Sequence, residues 1–596
     1  MKKIITTLLI ILTIQSSRAQ TFNPQLAAML QDTLNFYLAA IPNIKGMSAS
    51  VYLPGQGTWY GTEGVSYVGR PITKDMEFGI ASNTKLFVAT IMLKLQEDNL
   101  LSLDDSLHSW IPNYTNINPN ITIRQLLNHT SGIQDPIFLN PWMDTINANP
   151  TRVFTPNEVL GWVGAPVFPA GTSWGYSNMN YVIAGMIAEN ATGFHISRLI
   201  RDSILTPLNM DSTFYDVEEA DVNEIAHRWW NTIDYNDTSR VGLNTAGGAA
   251  GAIFSTSAEM AQWYHALFSG QILSPASMSE LTAFVPTTSS VMDYGLGLDR
   301  ETTLGNTYWG HGGTTWGYRS KMIYDTCLGA VVCGLTNSYP SGMEGPTFLL
   351  YRVVKNHVPG CSGAITGIST VCAGTQSVTY TVPPIQNATS YLWTLPSGAT
   401  GVSVTNTITV DYALNAVSGN IIVSGVNNYG AGGTSILFIT VNPIPTTPTI
   451  SQNGNILSSS ASSGNQWYNS SGVIPGATNQ NYTVTSIDTY YCIVTLQGCS
   501  SDTSASVYVD PTGISLNENG SSIQLYPIPV THSLTIENSN QHSLATVQLF
   551  NAFGEEVYNG ELMNKQNIDM SSFANGIYLV RITENNSVTQ RMILKQ

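Results

Sequence analysis

The chain has 596 residues, too many for a single hydrophobic core, and this length indicates roughly four domains. Only 10% of the residues are charged and the formal net charge is −16. No basic stripe is present that would neutralise phosphates, so the composition excludes a nucleic-acid-binding protein. The acidity favours solubility and does not identify a substrate.

The N-terminus is predicted to be a secretory signal at residues 1–19. Two lysines follow Met1, residues 4–14 form an apolar run, and Ser17-Arg18-Ala19 is a small-x-small cleavage site. This run is too short to span a bilayer, and no later segment reaches the ~18 apolar residues that a transmembrane helix needs. We therefore expect an exported chain with no transmembrane segment after signal cleavage; an uncleaved signal acting as an anchor is the alternative.

The composition and the periodicity of the sequence change near Pro359. Before it, helical and strand patterns alternate, which predicts an α/β domain. After it, short Val-, Ile-, Thr- and Tyr-rich runs alternate with Gly, Asn, Ser and Pro, as in β-sandwiches. A Pro-rich stretch at 443–448 is predicted to be a stiff linker between two of these sandwiches. We predict four folded modules after the signal: 20–358, 361–442, 449–510 and 523–596.

The first motif with chemical meaning is Ser82-Asn83-Thr84-Lys85, at the predicted start of an apolar helix. A separation of three residues places Ser82 and Lys85 one turn apart on the same face. A serine hydroxyl needs a neighbour to accept its proton, and a half-buried Lys85 with a lowered pKa can do so, or can activate a tyrosine. The alternative is a helix-capping serine with a solvated lysine, but the residues after Lys85 are apolar.

A second motif, Tyr176-Ser177-Asn178, opens another predicted apolar helix. Near a lysine the phenolate form of Tyr176 is stabilised, which suits proton transfer to a leaving group. Asn178 offers a donor and an acceptor to a substrate carbonyl or amide. The alternative is an ordinary N-terminal turn capped by the asparagine.

The third motif, His311-Gly312-Gly313-Thr314, lies in a predicted strand rich in aromatic residues and glycine. Glycines such as Gly313 let a substrate backbone approach a strand closely. The backbone N–H groups of Ser82 and Thr314 are predicted to form an oxyanion hole, and His311 to assist Tyr176 electrostatically. A structural role for this histidine is the alternative.

All six cysteines lie late in the chain, away from these motifs, so a cysteine nucleophile is not expected. In an exported chain Cys361 and Cys372 are close enough in sequence to pair, as are Cys492 and Cys499. The states of Cys327 and Cys333 are left open. No Cys-x-x-Cys or His-x-x-x-His spacing indicates zinc, and we expect no cofactor.

Taken together, the three motifs resemble those of the penicilloyl-serine hydrolase superfamily: class C β-lactamases, DD-carboxypeptidases, D-aminopeptidases and related esterases. The resemblance spans about residues 25–355 and includes three further stretches: residues 123–132, Pro207-Leu208-Asn209-Met210, and Gly247-Gly248 followed by Phe254-Ser255-Thr256. It implies an antiparallel sheet flanked by helices, plus a helical subdomain. His129-Thr130-Ser131 looks like a rival Ser/His pair, but the resemblance implies a structural role for it.

One departure from this family affects the expected substrate. β-Lactamases of the group usually have Lys-Thr-Gly where this chain has His311-Gly312-Gly313. The lysine and threonine help to hold the substrate carboxylate of penicillins and D-Ala-D-Ala, and Gly312 offers no such group. Each lost charged hydrogen bond costs on the order of 1–3 kcal/mol. The departure therefore favours an esterase, amidase or D-aminopeptidase over an efficient β-lactamase.

The later modules also resemble known families. Residues 361–442 are similar to a PKD-type (polycystic-kidney-disease-type) sandwich, and this resemblance favours Cys361 as the partner of Cys372. Residues 449–510 resemble a bacterial immunoglobulin-like module. The C-terminal module resembles the sorting domain of the type IX (Por) secretion system through four stretches: Tyr526-Pro527-Ile528-Pro529-Val530, residues 551–554, residues 575–578 and Leu594-Lys595-Gln596. One more adhesive β domain is the alternative.

The sequence thus predicts a secreted or cell-surface serine hydrolase with a Ser-Lys-Tyr acyl-enzyme mechanism, exported through the periplasm and outer membrane. Its expected partners are an ester or amide substrate, small or peptidic, and the type IX machinery. Weak β-lactamase activity is a further option. A second hypothesis is a catalytically weak surface protein that adheres through its β-sandwiches, and a third makes the hydrolase accessory to them. We expect the hydrolase region to fold without the β modules.

Overall fold

The computed structural model describes residues 21–41, 43–137, 139, 141–303, 305–340, 342–511, 523–538, 544–585 and 587–596. The predicted signal at 1–19 lies outside these residues. The chain divides into two compact units, Met1–Ile444 and Pro445–Gln596, and the division falls within the predicted Pro-rich linker. None of the helices in the described ranges combines the length and the apolar character needed to cross a bilayer.

The helices lie in the first unit. Their bounds are α1 (Pro24–Ala40), α2 (Thr84–Glu97), α3 (Ile123–Leu127), α4 (Trp142–Ala148), α5 (Pro156–Leu160), α6 (Met179–Thr192), α7 (Ile196–Ile200), α8 (Val241–Gly247), α9 (Ser257–Phe268), α10 (Pro275–Leu281) and α11 (Glu344–His357). Helix α2 is apolar on nearly all sides, and most of its residues are buried, as expected for a helix inside the core. It follows a 3₁₀ turn at Ala81–Asn83, so Ser82 lies at the predicted helix start.

Fifteen strands precede α11 in the chain. Their bounds are β1 (Gly46–Leu53), β2 (Gly57–Tyr67), β3 (Arg70–Pro71), β4 (Phe78–Gly79), β5 (Phe214–Tyr215), β6 (Trp229–Trp230), β7 (Ile233–Asp234), β8 (Ile253–Ser255), β9 (Val285–Pro286), β10 (Met292–Tyr294), β11 (Asp299–Thr303), β12 (Asn306–Thr315), β13 (Tyr318–Asp325), β14 (Ala330–Thr336) and β15 (Ser338–Tyr339). Nine of them form the main sheet, in the order β3-β2-β1-β14-β13-β12-β11-β10-β9.

The main sheet is antiparallel and carries helices on both faces. Helices α1 and α11 cover one face, where a core that includes Leu30, Val332 and Leu350 is buried. Helix α9 packs on the other face, where a larger core continues into α2 and α6. This α/β sandwich with a helical region confirms the predicted fold class.

The first β-sandwich completes this unit. Its strands are β16 (Thr370–Cys372), β17 (Val378–Thr381), β18 (Ser390–Thr394), β19 (Ala399–Thr400), β20 (Thr407–Tyr412), β21 (Gly419–Asn427) and β22 (Gly430–Asn442). They form two sheets, β16-β22-β21-β18 and β17-β20-β19. Tyr380 and Tyr412 are fully buried between them and share a hydrogen bond of 2.8 Å.

The first sandwich packs directly on the α/β region. Asn387 Nδ2 donates to the carbonyl of Lys355 at 3.0 Å, and Asn427 Nδ2 donates to that of His357 at 2.6 Å, at the end of α11. On the opposite side of the boundary Gln56 Nε2 donates to the carbonyl of Tyr429 at 2.7 Å. The two modules therefore share an interface, a feature that the sequence analysis did not predict.

The disulfide predictions are wrong. Cys327, in the turn between β13 and β14, is bonded to Cys361, so Cys361 cannot pair with Cys372. Cys492 is a free, buried thiol inside the second sandwich, so the expected bond to Cys499 is absent as well. Proximity in sequence failed here because the turn after β13 brings Cys327 to the segment that leaves α11. Cys333 is also a free, buried thiol, on β14.

The second unit consists of β modules. Its strands are β23 (Ile450–Asn453), β24 (Ile456–Ser459), β25 (Asn465–Asn469), β26 (Gly472–Val473), β27 (Asn481–Thr483), β28 (Asp488–Leu496), β29 (Cys499–Ser500), β30 (Val507–Val509), β31 (Ile523–Tyr526), β32 (Ser533–Asn538), β33 (Ala545–Phe550), β34 (Glu556–Leu562), β35 (Lys565–Asp569), β36 (Gly576–Glu584) and β37 (Ser587–Lys595). Strands β23–β30 form one sandwich around Trp467 and β31–β37 form a second.

Candidate functional site

A cavity of about 290 Å³ lies between the start of α2, the loop before α6 and strand β12. It brings together the three motifs that the sequence analysis singled out. Its lining residues are Ser82, Trp174, Tyr176, Met292, Tyr294, Asp299, His311, Gly312 and Thr314. Lys85 and Asn178 lie directly behind this lining, so the predicted site residues converge on one place.

The segment around Ser82 is fixed to the main sheet. Ser320 Oγ on β13 donates to the carbonyl of Ile80 at 2.8 Å and accepts from Asn83 Nδ2 at 2.8 Å. Ala81 has a φ of +49°, a left-handed conformation that costs energy for a residue with a Cβ. This turn presents the Ser82 side chain to the cavity while Asn83 stays fully buried.

The Lys85 side chain is fully buried and held by three acceptors. Its Nζ lies 3.0 Å from Ser82 Oγ, 2.8 Å from Asn178 Oδ1 and 2.8 Å from the carbonyl oxygen of Ala250. Burial lowers the pKa of Lys85 to about 7, with an opposing contribution from the Asp135 carboxylate. At neutral pH a substantial fraction of this amine is therefore uncharged and able to accept a proton.

Tyr176 packs against Lys85 and is hydrogen-bonded to Ser82. The Lys85 Nζ lies 4.9 Å from the centre of its ring. Burial raises the pKa of Tyr176 above its ordinary value, and the hydrogen bond from Ser82 only partly offsets this. Desolvation of the Tyr176 hydroxyl therefore outweighs the nearby amine and favours the protonated phenol over the phenolate. The phenol is suited to donate a proton.

Asn178 does not point both of its polar atoms at the cavity. Its Oδ1 accepts from Lys85, and its Nδ2 donates to Asp135 Oδ2 at 2.8 Å. The backbone N–H of Asn178 donates to the same carboxylate oxygen at 3.1 Å. The amide therefore links Lys85 to a buried carboxylate. The sequence had instead predicted that this amide is free to bind a substrate.

Asp135 is a residue that the sequence analysis missed. It holds the amide of Asn178 in one orientation, because the amide nitrogen faces the carboxylate and only the oxygen is left for Lys85. Its own Oδ1 accepts from the backbone N–H of Ile137 at 3.0 Å. In the sequence Asp135 is a single acid three residues after Gly132, in a loop that has no second carboxylate beside it. That isolated position is the only signal that could have identified it.

His311 lies beside Tyr294, not in hydrogen-bond contact with Tyr176. Its Nε2 is 2.9 Å from the hydroxyl of Tyr294, whereas the ring centres of His311 and Tyr176 are 6.2 Å apart. Burial and the nearby Lys85 lower the pKa of His311 to about 3. The histidine is thus neutral at physiological pH and does not supply a positive charge to Tyr176.

Strand β12 presents an open backbone edge to the cavity. Strand β11 pairs with β12 only as far as Asp299, opposite Gly310. Hydrogen-bonded pairs alternate along antiparallel strands, and Thr315 pairs with Tyr318 to close the turn into β13. The backbone groups of Gly312 and Thr314 therefore point away from β13, towards the edge that β11 has left.

Gly313 and Gly312 differ in the space around them. A Cβ on Gly313 would lie 2.2 Å from the carbonyl oxygen of Ile80, so only glycine lets β12 approach the segment that carries Ser82. A Cβ on Gly312 would meet its nearest atom, Lys321 Cδ, at 3.9 Å. The first glycine is required by packing, whereas the second leaves room for another side chain.

The charged groups at one end of the cavity form a small cluster. Lys321 on β13 lies opposite Gly312, and its Nζ reaches both Asp299 Oδ2, at 3.8 Å, and the carboxylate of Glu301. Burial raises the pKa of Asp299, while Lys321 opposes that rise. Within the described ranges, no group of three or more His, Cys, Asp and Glu side chains is gathered as a metal would require.

The rival pair His129 and Ser131 does not form a catalytic couple. Ser131 Oγ donates to Asn180 Oδ1 at 2.6 Å, and His129 Nδ1 lies 2.8 Å from Asn180 Nδ2. Burial holds the pKa of His129 well below its ordinary value. Its ring packs 4.3 Å from that of Tyr176, measured between centres. These contacts support the expected structural role.

A second, aromatic cavity of about 440 Å³ lies beyond the end of β12. None of the described side chains that line it is charged: Met143, Asn147, Trp230, Tyr235, Thr238, Trp316 and Gly317. Thr314 lines the first cavity, and Trp316, two residues later, lines the second. The two cavities thus lie along the same strand end.

Comparisons with known proteins match three parts of the chain. Residues 35–351 match the beta-lactamase family, residues 358–439 match the PKD-like domain, and residues 524–596 match the secretion system C-terminal sorting domain. The last match shows export by the type IX route to the cell surface or the medium, as predicted.

Two curated proteins illustrate the range of relatives. Penicillin-binding protein 4* of Bacillus subtilis is 26% identical over 276 residues, which cover 43% of this chain and 59% of that protein. The unguisins hydrolase ungD' of Aspergillus campestris is 27% identical over 343 residues, which cover 52% of this chain and 62% of that protein. The match therefore spans less than two thirds of the length of either relative.

Among solved structures, the D-amino acid amidase of Ochrobactrum anthropi SV3, in complex with L-phenylalanine, is similar to this chain. The identity is 27% and the TM-score is 0.51, with 56% of this chain and 99% of the amidase covered. The similarity therefore covers almost the whole amidase and a little over half of this chain.

Proposed function

Because the chain belongs to the beta-lactamase family, and carries a secretion sorting tail, we propose that it is an exported serine hydrolase that acts on an ester or amide through an acyl-enzyme at Ser82. The observation that carries this proposal is the 3.0 Å contact between Ser82 Oγ and the fully buried Nζ of Lys85. A nucleophile beside a base whose pKa lies near neutral pH is the arrangement that acyl transfer needs.

In the proposed acylation, neutral Lys85 takes the proton of Ser82 as Ser82 Oγ bonds to the substrate carbonyl carbon. The backbone N–H groups of Ser82 and Thr314 stabilise the oxyanion, and the open edge of β12 supports this role for Thr314. The carbonyl–leaving-group bond then breaks, and Tyr176 donates its proton to the departing atom. Lys85, whose Nζ lies 4.9 Å from the centre of the Tyr176 ring, then returns its proton to the Tyr176 phenolate.

Deacylation reverses these roles. A water molecule takes the place of the leaving group and attacks the acyl carbon, while Tyr176 accepts a proton from it and passes its own proton to neutral Lys85. The bond between the acyl carbon and Ser82 Oγ then breaks, Lys85 returns the proton to Ser82 Oγ, and the acyl group leaves as a carboxylic acid. Asn178 acts as a positioning residue, since its Oδ1 fixes the Lys85 amine within reach of Ser82. No metal or cofactor takes part in this scheme.

Features of the site favour ester, amide or D-aminopeptidase chemistry over β-lactam hydrolysis. Gly312 provides no hydroxyl, and His311 is neutral, so the groups that would hold a substrate carboxylate are missing. The uncharged aromatic cavity next to Trp316 has room for an apolar acyl group. The D-amino acid amidase similarity supports the amide alternative.

Substitution of Ser82 tests the proposal. Ser82→Ala should reduce turnover of a p-nitrophenyl ester below about 1% and abolish labelling by a fluorophosphonate probe, read by intact mass. Ser131→Ala is the matched control, because Ser131 belongs to the rival Ser/His pair, and it should keep labelling. Lys85→Ala should be nearly as damaging as Ser82→Ala, and Tyr176→Phe should slow both acylation and deacylation.

Two results would overturn the proposal. Retained labelling in folded Ser82→Ala would show that another residue is the nucleophile. Absence of turnover and labelling in the folded wild-type protein, across an ester, a D-amino-acid amide, a D-Ala-D-Ala peptide and nitrocefin, would favour the surface-binding hypothesis instead.

A further inference from the structure

The open edge of β12 gives a bound substrate a defined direction. Beyond Gly310 the line of β11 is vacant, so a substrate backbone that pairs with Gly312 and Thr314 extends that line. One end of the substrate then lies beside Asp299, the first residue of β11. The other end lies beside Thr314 and the aromatic cavity that Trp316 lines.

The leaving group belongs at the end beside Asp299. Tyr176, which donates the proton to the leaving atom in the proposed mechanism, lies at this end, since its ring centre is 6.2 Å from that of His311 and 6.3 Å from that of Tyr294. The Asp299 carboxylate is close enough to act electrostatically on Tyr176. The acyl group consequently extends towards the aromatic cavity.

The ionisable groups at this end are acidic in excess. Asp299 carries the only carboxyl group among the described residues that line the catalytic cavity, and it is 5% exposed. Lys321 could have offset a substrate carboxylate, but its ammonium is bound by Asp299 and Glu301, two carboxylates against one cation. Asp299 Oδ1 is buried and has no hydrogen-bond partner in the described structure.

The cluster lies beside Gly312. The side chain of Lys321 passes over Gly312 on its way to the acids of β11, with its Cδ 3.9 Å from the position of a Cβ there. The departure from Lys-Thr-Gly therefore removes the groups that hold a carboxylate at a point where the neighbouring cluster has two carboxyl groups for one amine.

We propose that Asp299 selects the substrate by the charge of its leaving group: the enzyme takes amides and esters whose leaving group carries a primary ammonium or is neutral, and rejects those whose leaving group carries a carboxylate. This inference rests on the proposed acyl-enzyme at Ser82. It is a statement about specificity, and Asp299 takes no part in the bond-making steps.

Three amides with the same acyl group test the inference. They are N-acetyl-D-alanyl-D-alanine, its C-terminal carboxamide, and N-acetyl-D-alanyl-1,2-diaminoethane, which carry a carboxylate, no charge and an ammonium on the leaving group. For the full-length wild type, kcat/KM for the ammonium compound should exceed that for the carboxylate by at least about tenfold, with the carboxamide between them. Product release is followed by mass spectrometry.

Two substitutions connect this order to the cluster. Asp299→Asn should bring the three kcat/KM values within about threefold of one another, by weakening the ammonium compound and improving the carboxylate. Glu301→Gln is the second variant, in case Asp299→Asn fails to fold. It leaves Asp299 paired with Lys321, and it should also bring the three kcat/KM values closer together. Asp293→Asn is the matched control, because Asp293 pairs with Arg300 and does not line the cavity; it should keep the wild-type order.

The outcomes separate this inference from the proposed function. Ester turnover that depends on Ser82, together with equal use of the three amides or a preference for the carboxylate, would overturn the charge selection and leave the hydrolase intact. An unchanged order in both folded cluster variants would also overturn it. Loss of ester turnover in the wild type would instead contradict the proposed function.

Discussion

At the scale of single residues, the site depends on the protonation state of Lys85. In the proposed mechanism the neutral amine of Lys85 accepts the Ser82 proton, and burial lowers the pKa of Lys85 to about 7. As the pH rises through this value the neutral fraction grows, so kcat/KM should increase about tenfold per pH unit below it and level off above it. The pKa values of Tyr176 and His311 are shifted away from this range, in opposite directions. Neither group should therefore contribute to this rise of kcat/KM with pH, the acidic limb of the profile.

Asp135 should control the position of that limb. Its carboxylate raises the pKa of Lys85, so Asp135→Asn should move the limb to lower pH and reduce its height, because the Asn178 amide is no longer held in one orientation. Asp325→Asn is the control: this buried carboxylate accepts from Tyr351 and Lys355, far from Ser82 in the fold. The control should lower the melting temperature and leave the limb in place. An unshifted limb in folded Asp135→Asn would contradict the positioning role.

The residues of the site divide by how far the sequence could identify them. Ser82, Lys85 and Tyr176 stand in motifs whose spacing and helical setting already indicate nucleophile, base and proton donor. Asp135 and Asp299 belong to none of the three motifs, and only the fold brings Asp135 to Asn178 and Asp299 to the cavity. The pKa of Tyr176 could not be predicted either, because the effect of burial depends on how completely the fold excludes water from its hydroxyl.

At the scale of elements, the approach of β12 to the turn before α2 sets the geometry of the cavity. Gly313→Ala would place a Cβ 2.2 Å from the carbonyl oxygen of Ile80 and 2.3 Å from Ser320 Oγ, so the strand must move away from Ser82. We expect kcat/KM to fall by at least about tenfold, since small displacements of reacting groups are costly. Gly312→Ala, with its nearest contact at 3.9 Å, is the control and should stay within about threefold of wild type in ester turnover.

The outcome that contradicts this prediction is equal turnover in the two alanine variants, with both folded by circular dichroism.

The helices and strands themselves were mostly predictable from the sequence. The helical periodicity after Ser82 and Tyr176 indicated α2 and α6, and alternating β-rich runs indicated the sandwiches. The point at which β11 ends, which opens the edge of β12, is set by pairing between distant strands and has no local signal.

At the scale of the whole molecule, the first sandwich stabilises the hydrolase region. A fragment of residues 20–358 would lose the contacts of Asn387 and Asn427 with the end of α11, and also the Cys327–Cys361 bond. We expect it to melt at least about 4 °C below a fragment of residues 20–444, by calorimetry under oxidising conditions. Equal melting temperatures and equal ester turnover would show that the interface adds no stability.

The sorting tail should be needed for the last step of export. The match at residues 524–596 indicates passage across the outer membrane by the type IX route. In a host with that machinery, a chain that ends at Pro511 should accumulate in the periplasm as active enzyme, whereas the full chain should be found outside the cell. Cell fractionation with an ester assay distinguishes the two, and a truncated chain that leaves the cell normally would contradict the role.

The cysteines show what the sequence could not supply at this scale. Spacing along the chain favoured partners close in sequence, but a disulfide depends on which Cβ atoms the fold brings together, and this fold joins Cys327 to Cys361 across 34 residues. The packing of the first sandwich on α11 was missed for a related reason. It depends on side-chain amides such as Asn387, which are common in loops and carry no pattern.

The Cys327–Cys361 bond also changes how the molecule withstands proteases outside the cell. The segment between the two cysteines contains β14, a central strand of the main sheet, and α11, which packs on one face of that sheet. A single cut anywhere in that segment leaves both fragments covalently attached, so the cut enzyme should migrate as one band without reductant and as two bands with it. A hydrolase clipped there would keep its last helix tethered beside the sheet until a reductant opens the bond or a second cut releases a fragment.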